Sequence, residues 1–297
     1  MNLAVQLFQL ALSGITIGSI YAMVAIGFNI IYNSTGILNF AQGEFVMLGG
    51  MLCVFLHNSL KLPLLPSGVL SVAAVSVIGL LFERLAIRPL RNPSVITLII
   101  ITIAASILIK GAAMFIWGKE TFVLPAFSGD EPLRLAGATI LPQTLWILGF
   151  LALVVTLLTI FFRLTMVGKA MKACSYNRTA AQIVGINVSG MVLLSFTLSA
   201  LIGGVAGVIV TPMTLVSYDR GSLLGLKGFG TAVCGGLGDM GGAVAAGLII
   251  GLLESFTAGL LSSGYKDAVA LVILVMILYF RPAGIFQKRD ERRLVGS

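Results

Sequence analysis

Charge is what this chain has least of. Only 10% of its 297 residues are Asp, Glu, Lys or Arg, while 58% are hydrophobic. An ordinary soluble domain carries about 25% charged residues, so a water-soluble globule is excluded. Histidine is nearly absent as well. With His57 alone, a histidine metal cluster is impossible and a Ser/His/Asp arrangement has little to build on. Cys53, Cys174 and Cys234 show no CxxC spacing, which points away from a disulfide framework or a thiolate metal site. No HExxH or Asp-rich motif occurs. Gly235–Gly242 is rich in glycine but continues through Asp239-Met240, where a phosphate loop needs Lys followed by Ser or Thr. No catalytic, cofactor-binding or metal-ligating residue is therefore assigned, and any ATP consumed would be hydrolysed on another chain.

What is present is apolar length. A helix needs about 20 consecutive apolar residues to cross a bilayer. Runs of that order fall near Gln6–Ile31, Ile37–Leu56, Leu64–Leu81, Ser94–Trp117, Gln143–Phe162, Met191–Thr211, Leu223–Leu237, Ala243–Leu261 and Ala268–Phe280. The expected fold is an all-α, polytopic membrane bundle of about eight to nine transmembrane segments. It forms a single transmembrane domain over 1–297, with broken helices and inverted structural repeats. The first run lacks a basic leader and is too long for a signal core, so it reads as a span and not as a cleaved signal.

The net charge of +8 does not indicate nucleic acid. It concentrates at Arg84/Arg88/Arg91, along Arg163–Arg178, and in the tail Arg281/Lys288/Arg289/Arg292/Arg293. Basic short loops mark the cytoplasmic side. Segment 163–190 and the tail 281–297 are thus expected inside, with Lys119–Leu141 and the N-terminus outside. An even number of crossings must then separate Gly190 from Arg281, so the weak run Leu223–Leu237 has to cross or another run has to fail to.

Polar groups interrupt the apolar runs at three places. Asn39, Gln42 and Glu44 open the second run. The second place is Gly225–Gly230, which includes Lys227 and Gly228 and leads on to Gly235–Gly242. Glu254 sits in the middle of an apolar run. An ionisable group at membrane depth usually faces a cavity or a partner. Paired breaks in the two halves of a chain point to a pathway between repeats. Asn39, Gln42, Glu44, Gly228, Gly235 and Glu254 are the candidate pathway residues. The competing reading is interhelical hydrogen bonding for the carboxyls and close packing for the glycines.

One further stretch lies outside the runs. Asn177 is a strong N-cap residue and Gly185 is suited to the left-handed residue that ends a helix. Between them Thr179, Ala180 and Ala181 are small. A short capped helix between two spans either connects them or is gripped from the water side.

Several of these segments, in this order, resemble one family. Gly18–Asn33, Gly36–Gly50, Lys169–Ala173, Asn177–Asn187, Phe196–Gly207, Gly225–Gly242 and Gly251–Glu254 resemble the smaller, H-type permease subunit of branched-chain amino acid ABC importers. Gln42 departs from the pattern, since His is expected there in many members, and related permeases carry urea, other amides or small organic acids. The resemblance implies a transport subunit and not an enzyme, set in the bacterial inner membrane. Its implied partners are two ABC ATPases that bind ATP and Mg, a second homologous permease and a periplasmic solute-binding protein. The solute would be a branched-chain or other neutral amino acid. The resemblance also implies that Asn177–Gly185 is the coupling helix, with Lys169, Lys172 and Arg178 meeting acidic groups of the ATPase and Ala180 and Ala181 giving close contact. A self-sufficient carrier or channel is the alternative of a different class.

Overall fold

The computed structural model describes residues 3–90, 94–129, 131–135, 137–281 and 284–285. Arg91, Asp130, Lys288, Arg289, Arg292 and Arg293 lie outside the described residues, as does most of the tail.

The bundle is built around helix α1 (Leu3–Thr35). At 1.5 Å per residue, its 33 residues reach about 50 Å. From Gly14 onward it is buried on nearly all sides, which explains why it has no single apolar stripe. Helix α10 (Met240–Leu260) runs antiparallel against it. Gly14 and Gly18 on α1 meet Gly247 and Gly251 on α10. A methyl group added at Gly14 would sit 2.7 Å from the Leu252 Cα, and one at Gly251 would collide with the Gly18 backbone. Small residues four apart allow this approach in lipid, where close packing replaces the hydrophobic effect as the source of helix association.

A second small-residue seam joins α2 (Gln42–Val54) to α8 (Val188–Val210). A methyl group at Gly49 would strike the Gly204 carbonyl, and one at Gly207 the Val46 carbonyl. Before α2, residues 36–41 are non-helical, and Gly36 turns the chain at φ +67°. α2 begins beside Gly27 on α1, two turns short of the end of that helix. Helix α3 (Leu64–Phe82) packs on α8 with Gly79 against Ala200. Both α2 and α3 end in a π-helical turn, at Phe55–Ser59 and Glu83–Ile87.

Helix α4 (Val95–Trp117) leans on the bundle along one stripe, where Leu98, Thr102 and Ala113 are buried. A hairpin of β1 (Leu133–Leu135) and β2 (Ala138–Ile140) follows. Gln9 clamps it to the start of α1 by donating to the Thr139 carbonyl at 2.9 Å and accepting from its N–H at 2.8 Å. Next come α5 (Pro142–Leu164), α6 (Met166–Tyr176), α7 (Arg178–Ile183), then α8, α9 (Arg220–Gly235), α10 and α11 (Lys266–Phe280).

Among the described residues, six helices are long and apolar enough to cross a membrane: α1, α3 with its π turn, α4, α5, α8 and α10. The protein is a polytopic helical membrane protein. The 16-residue α9 and 15-residue α11 are shorter, yet their ends lie on opposite faces. Val216, just before α9, pairs with Phe122 on the hairpin face. Gly238, just after it, accepts from Asn33 near the end of α1 at 2.8 Å. Ile285 beyond α11 donates to the Cys234 carbonyl at 2.8 Å. The chain thus returns to the face that carries α6 and α7.

Candidate functional site

The segment around α7 is shaped by its caps. Asn177 is extended (φ −157°, ψ 105°), ending α6 and starting α7, and its Oδ1 accepts from the Ala180 N–H at 2.9 Å. Gly185, at φ +90°, ends the turn. Asn187 then caps α8 by accepting from Gly190 at 3.0 Å. The small residues do not share one outward face. Ala180 is exposed, whereas Ala181 is buried with Cys174 and Val188, because the i, i+4 geometry of a one-and-a-half-turn helix must send one face inward. Burial also pushes the Cys174 thiol above its ordinary value. Arg178 turns inward too and donates from its guanidinium to the Thr35 carbonyl at 2.5 Å. Lys172 lies over the Phe162 ring, 5.8 Å from its centroid. Lys169 and Thr179 are exposed. The most exposed apolar pair is Ile183–Val184, at 82% and 80%. Sequence reasoning missed it, although two β-branched residues immediately before the helix-ending glycine, outside any span, were the available signal.

The candidate pathway residues fall into separate groups. Gln42 faces α1 and α8: its amide donates to the Ser199 carbonyl at 3.2 Å, and the Ser199 hydroxyl lies 2.5 Å from its Oε1. Asn39 and Glu44 face the other way, toward α4. Asn39 holds the start of α2 through an acceptor bond from the Ala41 N–H at 3.1 Å. Glu44 accepts from the hydroxyls of Ser106 on α4 (3.0 Å) and Ser222 on α9 (2.9 Å). Leu98, Thr102, Ser106 and Lys110 recur every four residues, so α4 presents them along one line. At the hairpin end of this line Lys110 approaches the Tyr218 ring, 5.9 Å from its centroid. The Ser217 hydroxyl donates to Asp219 at 2.5 Å and holds that carboxyl below its ordinary range.

A polar file thus runs between α2, α4 and α9 from Lys110 past Glu44 to Asn39, and ends at Glu83 and Arg88. Among the described residues, the buried side-chain atoms without a hydrogen-bond partner are Asn39 Nδ2, Glu44 Oε2, Glu83 Oε2 and Trp117 Nε1. The first three belong to this file. Buried polar groups are normally paired, and their concentration here sets the file apart. Glu83 and the α4 hydroxyls were not singled out from sequence; only the four-residue spacing on α4 could have revealed the latter.

Glu254 belongs to a third group. Lys227 donates to its Oε1 at 2.8 Å and to the Tyr21 hydroxyl at 2.8 Å, and that hydroxyl donates to Glu254 Oε2 at 2.8 Å. The pair is deeply buried, with Lys227 11% and Glu254 4% exposed. This ring ties α9 and α10 to α1. Gly228 and Gly235 lie at close contacts, against Val24 and Gly242. Asn29 and Asn33 complete the attachment. Asn29 donates to the Asp239 carbonyl at 2.9 Å and accepts from the Gly238 N–H at 3.1 Å.

Membrane-length helices enclosing buried polar groups, with a capped helix held outside them, form the architecture of a multi-pass transport permease. The chain belongs to the family described as the permease component of branched-chain amino acid transport systems, which matches residues 10–278. It is 32% identical over 301 residues to the high-affinity branched-chain amino acid transport system permease protein LivH of Escherichia coli K12, covering 96% of this chain and 97% of that one. BraD of Pseudomonas aeruginosa, a permease of the same description, is 31% identical with the same coverage. Among solved structures, PsaBC from Streptococcus pneumoniae in complex with Fab aligns with a TM-score of 0.48 and 15% identity, covering 96% of this chain and 94% of that one.

Proposed function

We propose that this chain is the membrane subunit of an ATP-driven importer that passes a branched-chain or other neutral amino acid into the cell. Two ATPase subunits carry ATP and Mg, a periplasmic binding protein delivers the solute, and a second homologous permease completes the membrane core. The hairpin face lies outside and the α6–α7 face in the cytoplasm. The gathering of Arg84, Arg88, Arg163, Lys169, Lys172 and Arg178 on the latter supports this orientation. The pathway follows the polar file, with Asn39 and Glu44 in its wall. Gln42 and the Glu254 ring hold the helices beside it.

The observation that carries the coupling role is α7 itself. It offers Ile183 and Val184 outward while Arg178, its first residue, holds the last carbonyl of α1. An ATPase that moved α7 would therefore pull on the central helix of the bundle. Ala180, Thr179 and Lys169 border the same surface, whereas Ala181 supports it from beneath.

Purification from native membranes should bring down an ATPase pair and a second permease. The reconstituted complex should accumulate leucine only with ATP and binding protein. Accumulation by this chain alone in plain liposomes would overturn the reading in favour of a self-sufficient carrier. Within the complex, Ile183→Asp should reduce ATPase recovery at least several-fold, by placing a charge in an apolar contact. Asn177→Ala should loosen α7 by about 1 kcal/mol. Gly185→Val should do more, since a β-branched residue resists positive φ. Wild-type solute-stimulated ATPase activity in all three would remove α7 from the coupling path.

A further inference from the structure

On the α6–α7 face, a cavity of about 160 Å³ shares no residue with the polar file. Three helix ends frame it: Asn33 near the end of α1, Phe162 and Arg163 at the end of α5, and Asp239 at the start of α10. Lys172 of α6 closes the remaining side. The depth of this junction follows from α5, one of the membrane-length helices. Its 23 residues reach about 35 Å, slightly more than the ~30 Å hydrocarbon core of a bilayer. Leu153, Leu157, Ile160 and Leu164 form one exposed apolar stripe along it. Arg163, in its last turn, therefore sits at the level of the lipid headgroups.

The charges around the cavity are unpaired. Among the described residues, neither Arg163 nor Lys172 makes a hydrogen bond or an ion pair. Both are exposed, and so are open to an occupant. Lys172 lies over the Phe162 ring, 5.8 Å from its centroid, so its ammonium is held toward α5 and the cavity. Asp239 faces the same space but bridges to neither cation. Its Oδ1 accepts from the Gly241 and Gly242 N–H groups at 2.9 and 3.2 Å, which ties the carboxylate to the helix it caps. Asn33 is anchored by donating to the Gly238 carbonyl at 2.8 Å, and its Oδ1 remains an acceptor. Two cations and one carboxylate leave the cavity with one net positive charge.

We propose that this cavity holds the headgroup of an anionic phospholipid, with its phosphodiester between Arg163 and Lys172. The single negative charge of a phosphodiester matches the net charge of the cavity. The planar guanidinium fork of Arg suits phosphate oxygens, and basic pockets between spanning helices take anionic headgroups by this chemistry. Hydroxyls of a glycerol headgroup donate to Asp239 and Asn33. At well below the ~300 Å³ of the smallest sites for drug-sized ligands, the cavity admits only the headgroup. An acyl chain then follows the exposed stripe of α5. The bound lipid bridges α5 to α6, and α6 leads directly into α7, so anionic lipid steadies the segment that carries the coupling surface. The lipid site requires only that this face lies at a membrane surface, and it stands whichever solute crosses.

The test uses the protein purified with its partners in mild detergent, and native mass spectrometry reads the bound lipid. Titrants are dioleoyl phosphatidylglycerol and dioleoyl phosphatidylcholine, which has the same chains and phosphate but no net charge. Phosphatidylglycerol should bind the wild type about tenfold more tightly. Each Lys or Arg near a membrane surface contributes about 1 kcal/mol toward an anionic lipid. Arg163→Gln and Lys172→Gln should therefore each weaken phosphatidylglycerol about fivefold, and together about 25-fold, while phosphatidylcholine is unchanged. Lys169→Gln removes the same charge from α6 outside the cavity and should alter neither lipid. All three positions are exposed, where substitution rarely disturbs folding. The ratio of the two lipids within each variant also cancels any partial loss of folded protein. Equal weakening by Arg163→Gln, Lys172→Gln and Lys169→Gln would reduce the effect to diffuse surface attraction and overturn the site. Unchanged phosphatidylglycerol binding in the double variant would mean that a partner protein covers the cavity, and would overturn it as well. Inorganic phosphate and glycerophosphoglycerol, which lack acyl chains, should not displace the lipid at equal concentration; displacement would reassign the cavity to a soluble phosphate.

Discussion

Replacing Glu254 with leucine is expected to destabilise the protein by about 3–5 kcal/mol, the usual cost of removing one partner from a buried ion pair. The reason lies in what remains. Lys227 is 11% exposed, and without Glu254 its ammonium loses the carboxylate that balances its charge, while the Tyr21 hydroxyl loses its acceptor. Polar contacts between membrane helices average only about 0.6 kcal/mol, because helices separated within the bilayer also find partners. That average describes neutral contacts, however, whereas Glu254→Leu removes the counter-charge of a buried ammonium. The double variant Lys227→Met/Glu254→Leu tests the argument. With both charges gone and similar volumes restored, stability should return to within about 1 kcal/mol of wild type. Heat unfolding in mild detergent would report both changes. Equal losses in the single and double variants would mean that packing, not charge, governs this junction. If the double variant also transports at the wild-type rate, the ring holds α9 in place and takes no part in solute passage.

This ring shows why a single chain conveys some of the structure and hides the rest. Intramembrane charge is conspicuous in an apolar sequence, and Glu254 and Glu44 stood out for that reason. The partner of Glu254 is 27 residues away on another helix, and nothing local distinguishes Lys227 from a residue that snorkels to the surface. The order of the long apolar helices could be read from run length alone; of the nine apolar runs, six correspond to helices, among the described residues, that are long and apolar enough to cross a membrane. The descent of α9 could not, because its 16 residues fall short of a full span; it needed the parity of basic loops, and then the contacts at its two ends. The caps of α7 were legible because capping is chemistry within three or four residues. Which side of α7 faces outward was not, since that depends on Cys174 and Val188 closing over Ala181.

The polar residues at the start of α2 make the same point more sharply. Asn39, Gln42 and Glu44 lie within six residues, and on sequence they form one cluster. The first turn of α2 sends Gln42 toward Ser199 and Glu44 toward Ser106, so neighbouring residues serve different interfaces. Glu83 was invisible for the opposite reason. It lies next to Arg84 in a basic stretch and looks like an ordinary surface charge. Only the π turn and the packing of α3 on α8 bury it.

The largest steric effect should come from Gly251→Val on α10. A side chain there points at the Gly18 N and Cα and at the Gly14 carbonyl. All three are backbone atoms of α1, so no rotamer change can yield space and the helices must separate. Overpacking generally costs about 1–3 kcal/mol when side chains can shift; with backbone on the opposing side the loss should reach or exceed the upper end. The damage should also spread. Glu254 lies one turn beyond Gly251, and its 2.8 Å bonds to Lys227 and Tyr21 cannot survive a displacement of an ångström or more, since hydrogen bonds weaken steeply outside their preferred range. Gly251→Val should therefore lose the stability of the seam and much of that of the ring, and resemble Glu254→Leu in its unfolding. Gly149→Val on α5 is the control, because a methyl group there meets nothing within 4 Å. It should leave heat stability and uptake unchanged. If both valines are tolerated equally, α1 and α10 are not held at glycine distance, and the central seam of the bundle is looser than these contacts require.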